Sequence, residues 1–114
     1  MPELGIAESA LELALTHARS AGASRVLRIV IRVGALSGVD PDALRFAFSA
    51  ILPGTVADGA QLQIDPVPAV AYCSACQKDF FPDTDHFFEC TTCGQLSATV
   101  KQGRELDLVR LEMI

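Results

Sequence analysis

Apolar residues recur at helical spacing over the first twenty positions. Leu4, Ala7, Leu11, Ala14, Leu15 and Ala18 share one face, with Glu8, Glu12, Thr16 and Arg19 opposite. The spacing predicts an amphipathic helix over 4–21, stopped by Gly22. "RVLRIVIRV" at 25–33 instead alternates with period two, which predicts a strand. Leu27, Ile29, Ile31 and Val33 fall on one side, and Arg28 and Arg32 fall on the other with Val26 and Val30, so one face is buried and the other half covered. The loop "GALSGVDPD" leads to a second helix with Asp40 as N-cap and Pro41 at N1. Its apolar stripe is Leu44, Ala47, Phe48 and Ile51, and Pro53-Gly54 ends it. "AQLQID" at 60–65 alternates cleanly, and Pro66 and Pro68 after it exclude a central strand and mark a boundary. The run "GRELDLVRLEMI" at 103–114 reads as a strand whose apolar parity changes near Leu108-Val109. That change of phase predicts a bulge.

The stretch 70–101 breaks these patterns. It holds all four cysteines and few large aliphatic residues, too little to build an ordinary core. The last strand is too apolar to hang free, so it is expected to return to the first sheet. The chain then divides into one α+β domain of residues 1–69 with 102–114, and an inserted zinc-ribbon-like domain of residues 70–101.

Composition narrows the classes of function. The 114 residues make one domain, or one with a small appendage, and half of them are hydrophobic. A chain this short buries a modest share of its surface, so a metal or a partner helps to stabilise it. The formal charge is −5, which argues against nucleic acid or an anionic membrane as partner. No apolar run is long enough to span a bilayer. Glu3, Glu8 and Glu12 are wrong for a signal peptide, and a cytoplasmic location is the expectation.

"CSAC" (Cys73, Cys76) and "CTTC" (Cys90, Cys93) are two C-x-x-C knuckles with thirteen residues between them. Each knuckle supplies one edge of a tetrahedron of thiolates, the closed donor set of structural Zn²⁺, and the separation leaves room for a short hairpin. Disulfides would need an oxidising compartment. Rubredoxin-type iron uses the same ligands, but of its usual two glycines only Gly94 is present, and Gln77 stands at the other position. A redox dithiol would use one such pair, not two. Within 70–101 four acids outnumber Lys78 and Lys101, so Phe80, Phe81, Phe87 and Phe88 are expected to cover the knuckles rather than stack on bases. His86 is read as a loop histidine, with an approach to the zinc as the other reading. His17 is read as a partly exposed histidine of the first helix.

Taken together, the helix beginning "MPEL", then "RIVIRVGALSGVDPDALRFAF", "GAQLQIDPVPAVAYC", the two knuckles and "GRELDLVRLEMI" resemble the HypA/HybF family of nickel metallochaperones. The resemblance spans essentially the whole chain. It implies a three-stranded antiparallel sheet with two helices packed on it, and a small zinc domain held by Cys73, Cys76, Cys90 and Cys93. The activity it implies is not enzymatic: Ni²⁺ delivery to apo-[NiFe]-hydrogenase through protein contacts. The implied partners are the maturation GTPase HypB, the hydrogenase large subunit and, in members that serve urease, urease accessory proteins, with the chaperone itself a monomer or homodimer. The family's nickel site lies at a Met-His-Glu start, with backbone nitrogens and an acid before the second helix. Glu3 and Asp40 match it, and Pro2 stands where the histidine ligand is expected. Proline has neither an imidazole nor an ionisable amide N–H, whereas imidazole and deprotonated nitrogen are the donors that suit tetragonal Ni²⁺. Both acids also have a purely structural reading: Glu3 beside a helix start, Asp40 as a helix cap. A zinc-stabilised adaptor that has lost nickel delivery is the alternative function.

Overall fold

The computed structural model describes residues 2–82, 89–96 and 99–114. Among these residues eight elements follow in order: α1 (Pro2–Ser20), β1 (Val26–Gly34), α2 (Pro41–Ile51), β2 (Gln61–Val67), β3 (Val70–Cys73), β4 (Lys78–Phe80), β5 (Thr99–Gln102) and β6 (Leu106–Met113). They form two three-stranded sheets, ordered β2-β1-β6 and β4-β3-β5. The polypeptide leaves the first sheet after Val67 and re-enters it at Leu106, so β6 closes the first sheet from the far end of the sequence.

The main core lies between the first sheet and the two helices. Ile29, Ile31 and Val33 of β1 meet Ala7, Leu11, Ala14 and Ala18 of α1 and Leu44, Ala47 and Phe48 of α2. The small alanine side chains let α1 come close to its neighbours. Phe48, Ile29, Leu44 and Val26 are the largest fully buried side chains there, each contributing about 1.5–3 kcal/mol by burial.

The α+β class, three strands and two helices stand as expected, but the sheet is mixed rather than wholly antiparallel. β1 pairs antiparallel with β6 and parallel with β2, from Arg28↔Gln61 to Gly34↔Val67. The reason is the connection: α2 carries the chain back to the starting end before β2 begins, and such a crossover joins parallel strands. Pro66 sits in the β2 ladder, and β2 is an edge strand, where a missing N–H is tolerated.

The β1–β6 register shifts twice. Val30 pairs with Arg110 while Ile31 pairs with Leu108, which leaves Val109 as the extra residue of the bulge expected from the change of parity. A second shift, between Val26 and Arg28, was not legible. It turns Val26 into the core and leaves Leu27 42% exposed, the reverse of simple alternation. On α1 the buried stripe begins at Glu3, and Leu4 faces solvent.

Both connections between the sheets cross at one tight point. The Gly34 N–H donates to the Glu105 carbonyl at 2.7 Å, the Ala35 N–H to Val67 at 2.9 Å and the Leu36 N–H to Gly103 at 2.6 Å. A Cβ on Gly34 would fall inside the contact shell of the Gly103 carbonyl and 2.7 Å from the Glu105 nitrogen. Gly103, at φ 120°, is pressed from its other side by Ala69. Glycine is required at both positions.

Candidate metal centres

Among the described residues the second sheet has almost no core of its own. Ala71, Cys73, Phe80 and Cys90 are its buried cluster, with Cys76 packed against them. The first knuckle forms the turn of the β3–β4 hairpin, so Cys73 ends β3 and Cys76 lies in the turn. The second is enclosed by the bridge between Glu89 and Leu96, and closed by Gly94 N–H to Cys90 O at 2.8 Å and Cys90 N–H to Gln95 O at 2.9 Å. In each knuckle the residue after the second cysteine takes a left-handed backbone: Gln77 at φ 55° and Gly94 at φ 76°. This turn aims backbone N–H groups at sulfur. Cys76 N–H donates to Cys73 Sγ at 3.5 Å, and Thr92 N–H to Cys90 Sγ at 3.4 Å.

The four sulfurs lie within 4.8 Å of one another. Cys73 Sγ is 3.6 Å from Cys93 Sγ, and Cys76 Sγ is 3.9 Å from Cys90 Sγ. A tetrahedron with Zn–S of about 2.3 Å has edges of about 3.8 Å, so the residues fit Zn²⁺ in donor type, number and spacing. The metal-free thiols differ in acidity. Backbone N–H groups of Cys93 and Thr92 hold the Cys90 thiol down at about 6, while hydrogen bonding to the Cys93 sulfur, together with burial, pushes Cys76 up to about 12. One thiolate forms readily there; gathering four needs a divalent cation among them. Zinc in this cage would supply cross-linking, with no open position for chemistry.

Phe80 covers the knuckles as expected, being 4% exposed, whereas Phe81 is 69% exposed and does not. It follows Phe80 just past the end of β4, where alternation turns it outward. Phe87, Phe88 and His86 lie outside the described residues. His17 is an exposed residue of α1. Lys101 is engaged by Asp79 at 3.0 Å, which leaves less positive charge for a phosphate backbone.

The second candidate centre is where the two helices begin. Glu3 is 7% exposed, the one charged residue among the described residues that is buried. Its Oε2 accepts from the Asp40 N–H at 3.3 Å. Asp40 in turn caps α2, accepting from the Asp42 N–H at 2.9 Å. The two acids are therefore brought together across thirty-seven positions; the family resemblance assigns both to one site, whereas their structural readings place each at its own helix. Pro2 is exposed beside Glu3 at the first position of α1. The first N–H groups of a helix have no partner inside it, so the Glu3 amide is free of the α1 ladder. The positive ends of two helix dipoles converge here and repel a cation, and the carboxylates of Glu3, Asp40 and Asp42 offset them.

A thiolate cage of zinc dimensions and, in the other cluster, a helix pair with converging carboxylates define a small zinc-stapled α+β protein of the metal-handling class. The family model described as "Hydrogenase/urease nickel incorporation, metallochaperone, hypA" matches residues 1–113. The chain belongs to the HypA family, whose members are maturation factors and metallochaperones, not enzymes. It is 40% identical over 114 residues to the hydrogenase maturation factor HypA of Picosynechococcus sp., covering 100% of both chains. It is 39% identical over 112 residues to that of Chloroflexus aurantiacus, covering 98% of each. Among solved structures it resembles the solution structure of the Ni metallochaperone HypA from Helicobacter pylori, with a TM-score of 0.69 and 26% identity over 98% of this chain and 97% of that one.

Proposed function

We propose that the chain serves nickel insertion into apo-[NiFe]-hydrogenase, in the cytoplasm, by docking to the large subunit and to the GTPase HypB, and in a urease-bearing cell to urease accessory proteins. Family membership supports the hydrogenase role. In this reading, residues 70–101 are an inserted zinc-binding domain within a domain of 1–69 and 102–114. Cys73, Cys76, Cys90 and Cys93 hold resident Zn²⁺, and Glu3 and Asp40 are the acidic half of a nickel site.

The observation that carries the nickel assignment is the Glu3–Asp40 contact. A buried carboxylate and a helix-capping acid meet at the start of α1, where unpaired amide nitrogens are available. Nickel is the cargo here. It asks for nitrogen donors in a plane, and Pro2 supplies neither an imidazole nitrogen nor an ionisable amide while Met1 precedes it. His17 does not replace the missing ring, being fifteen residues along α1 and thus about 22 Å away. The N-terminal site therefore binds Ni²⁺ weakly. Pro2 specifically favours a second reading, a zinc-stabilised adaptor that keeps the docking surfaces and has lost delivery.

Calorimetry on zinc-loaded protein of verified N-terminus separates the two. Pro2→His restores an imidazole and an ionisable amide together. Binding is expected to strengthen at least about tenfold, or about 1.4 kcal/mol, with the visible absorption of a tetragonal nickel site. Tight stoichiometric binding by the Pro2 protein with Met1 intact would place the nickel elsewhere and refute the mapping to Glu3 and Asp40.

A further inference from the structure

The four cage cysteines are not equally sheltered. Cys73 and Cys90 are 1% and 3% exposed and Cys76 is half-buried, whereas Cys93 is exposed. Every residue from Thr91 to Leu96 is exposed with it. One vertex of the thiolate tetrahedron therefore faces solvent. The sulfurs also differ in what they accept. In each knuckle a backbone N–H points at the first cysteine: Cys76 N–H at Cys73 Sγ (3.5 Å) and Thr92 N–H at Cys90 Sγ (3.4 Å). Cys93 Sγ meets Cys73 Sγ at 3.6 Å, and among the described residues no N–H donates to it. A hydrogen bond to a thiolate draws electron density from sulfur and lowers its nucleophilicity along with its basicity. Cys93 keeps that density, and it is the sulfur that solvent reaches.

We propose that Cys93 is a modification site at which hydrogen peroxide oxidises the cage, with Cys73 as the resolving thiol. The proposal rests on the cage holding Zn²⁺. The Cys93 thiolate attacks a peroxide oxygen, the O–O bond breaks, hydroxide leaves and a sulfenic acid forms. The Cys73 thiolate then attacks the Cys93 sulfur and displaces hydroxide, closing a Cys73–Cys93 disulfide. Two thiolates, one hydrogen peroxide and two protons thus become one disulfide and two waters, with two electrons passing from sulfur to oxygen. The sulfurs must close from 3.6 Å to about 2.0 Å, between side chains that already touch. Each knuckle loses one ligand, so the cation keeps only Cys76 and Cys90 and is released. Those two sulfurs, 3.9 Å apart, are placed for a second disulfide by the same chemistry. The oxidised segment gives up its zinc, yet its knuckles stay stapled across two edges of the former tetrahedron. Exchange with a reducing thiol reverses both bonds.

The test treats the zinc-loaded full chain with hydrogen peroxide after its zinc content has been measured. A chromophoric chelator reads zinc release, dimedone traps the sulfenic acid, and peptide mapping without reduction locates the disulfides. Trapping at Cys93, a first disulfide between Cys73 and Cys93, and loss of the bound zinc are expected. Dithiothreitol followed by zinc is expected to restore the cage. Cys93→His keeps a four-ligand set that zinc accepts and removes the reactive sulfur, so it should release zinc at least about tenfold more slowly than the parent. If that variant fails to hold zinc, trapping and mapping in the parent decide. Sulfenic acid on another cysteine, a first disulfide of any other pairing, or parental release by zinc-loaded Cys93→His would overturn the proposal. Purified protein without zinc would overturn the zinc assignment, and the proposal with it.

Discussion

Gly34→Ala tests whether the crossing between the two sheets holds the molecule together. The added methyl cannot be placed without moving backbone, since the obstacles are the Gly103 carbonyl and the Glu105 nitrogen. Gly103 has little room to retreat, because Ala69 Cα lies 2.8 Å from where a Cβ on Gly103 would sit. Moving it aside disrupts the Leu36–Gly103 and Gly34–Glu105 hydrogen bonds, at 2.6 and 2.7 Å. Each is worth about 1 kcal/mol net, and the overpacking adds about 1–3 kcal/mol. The expected loss is about 3–5 kcal/mol, a large part of the stability of a small domain. Urea unfolding of the zinc-loaded protein, followed by helix ellipticity, measures it. With a slope of about 1–3 kcal/mol per molar, the midpoint should fall by at least about 1 M. Gly5→Ala is the control: a Cβ there meets nothing within 4 Å inside α1, so stability should rise by up to about 1 kcal/mol. A Gly34→Ala protein within about 0.5 kcal/mol of the parent would show the crossing to be loose and this reasoning wrong.

Cys90→Ala should release zinc and melt the β4-β3-β5 sheet while leaving helix ellipticity intact, because α1 and α2 pack in a separate cluster; metal analysis and circular dichroism read the two effects. Gln77→Gly should stabilise the zinc-bound form by up to about 1 kcal/mol, since Gln77 sits at φ 55° where a side chain is strained; thermal melting of the holoprotein checks it. Zinc competes with protons at Cys76, pushed up to about 12, throughout the neutral range, and at Cys90 only as pH falls through about 6. Chelator competition should therefore give an affinity that falls with acidification, with a slope steeper by about one proton below that point than above it; an unchanged slope would count against a pre-ionised Cys90. Glu3→Ala should cost about 1.5–3 kcal/mol in a chemical melt, by removing the charged partner of the Asp40 N–H in a buried position.

The elements and the cage were legible for identifiable reasons. Helical and two-residue periods marked both helices and the strands of the first sheet. The parity change at Leu108-Val109 marked its bulge, because one extra residue necessarily reverses the faces after it. The two knuckles announced their tetrahedron through ligand spacing alone. What escaped was set by tertiary geometry. The bulge at Leu27 lies at the end of β1, where too few residues remain to reveal a change of phase. The parallel direction of β2 depends on where α2 delivers the chain, and periodicity carries no sign of direction. Gln77 looked like a departure from a glycine pattern, yet the knuckle imposes the same left-handed turn on it as on Gly94.

Glu3 shows how a structural role and the proposed metal-binding role can occupy one side chain. Read from sequence, its carboxylate either flanks α1 or belongs to a site. In the fold it is buried and fastens the start of α1 to the start of α2 through the Asp40 N–H. That bond holds the carboxylate close to Asp40, and it also balances two helix dipoles that would otherwise repel a cation. A site built this way keeps its acidic half in position whether or not nickel is present, and the helix junction needs that half for its own stability. The nitrogen half has no such second duty: position 2 is exposed, and a change there leaves no core or cap broken. A proline at position 2 therefore leaves the fold untouched, while removing the Glu3 carboxylate weakens it. The two substitutions should separate cleanly, with Pro2→His changing nickel affinity at nearly constant stability and Glu3→Ala changing stability first.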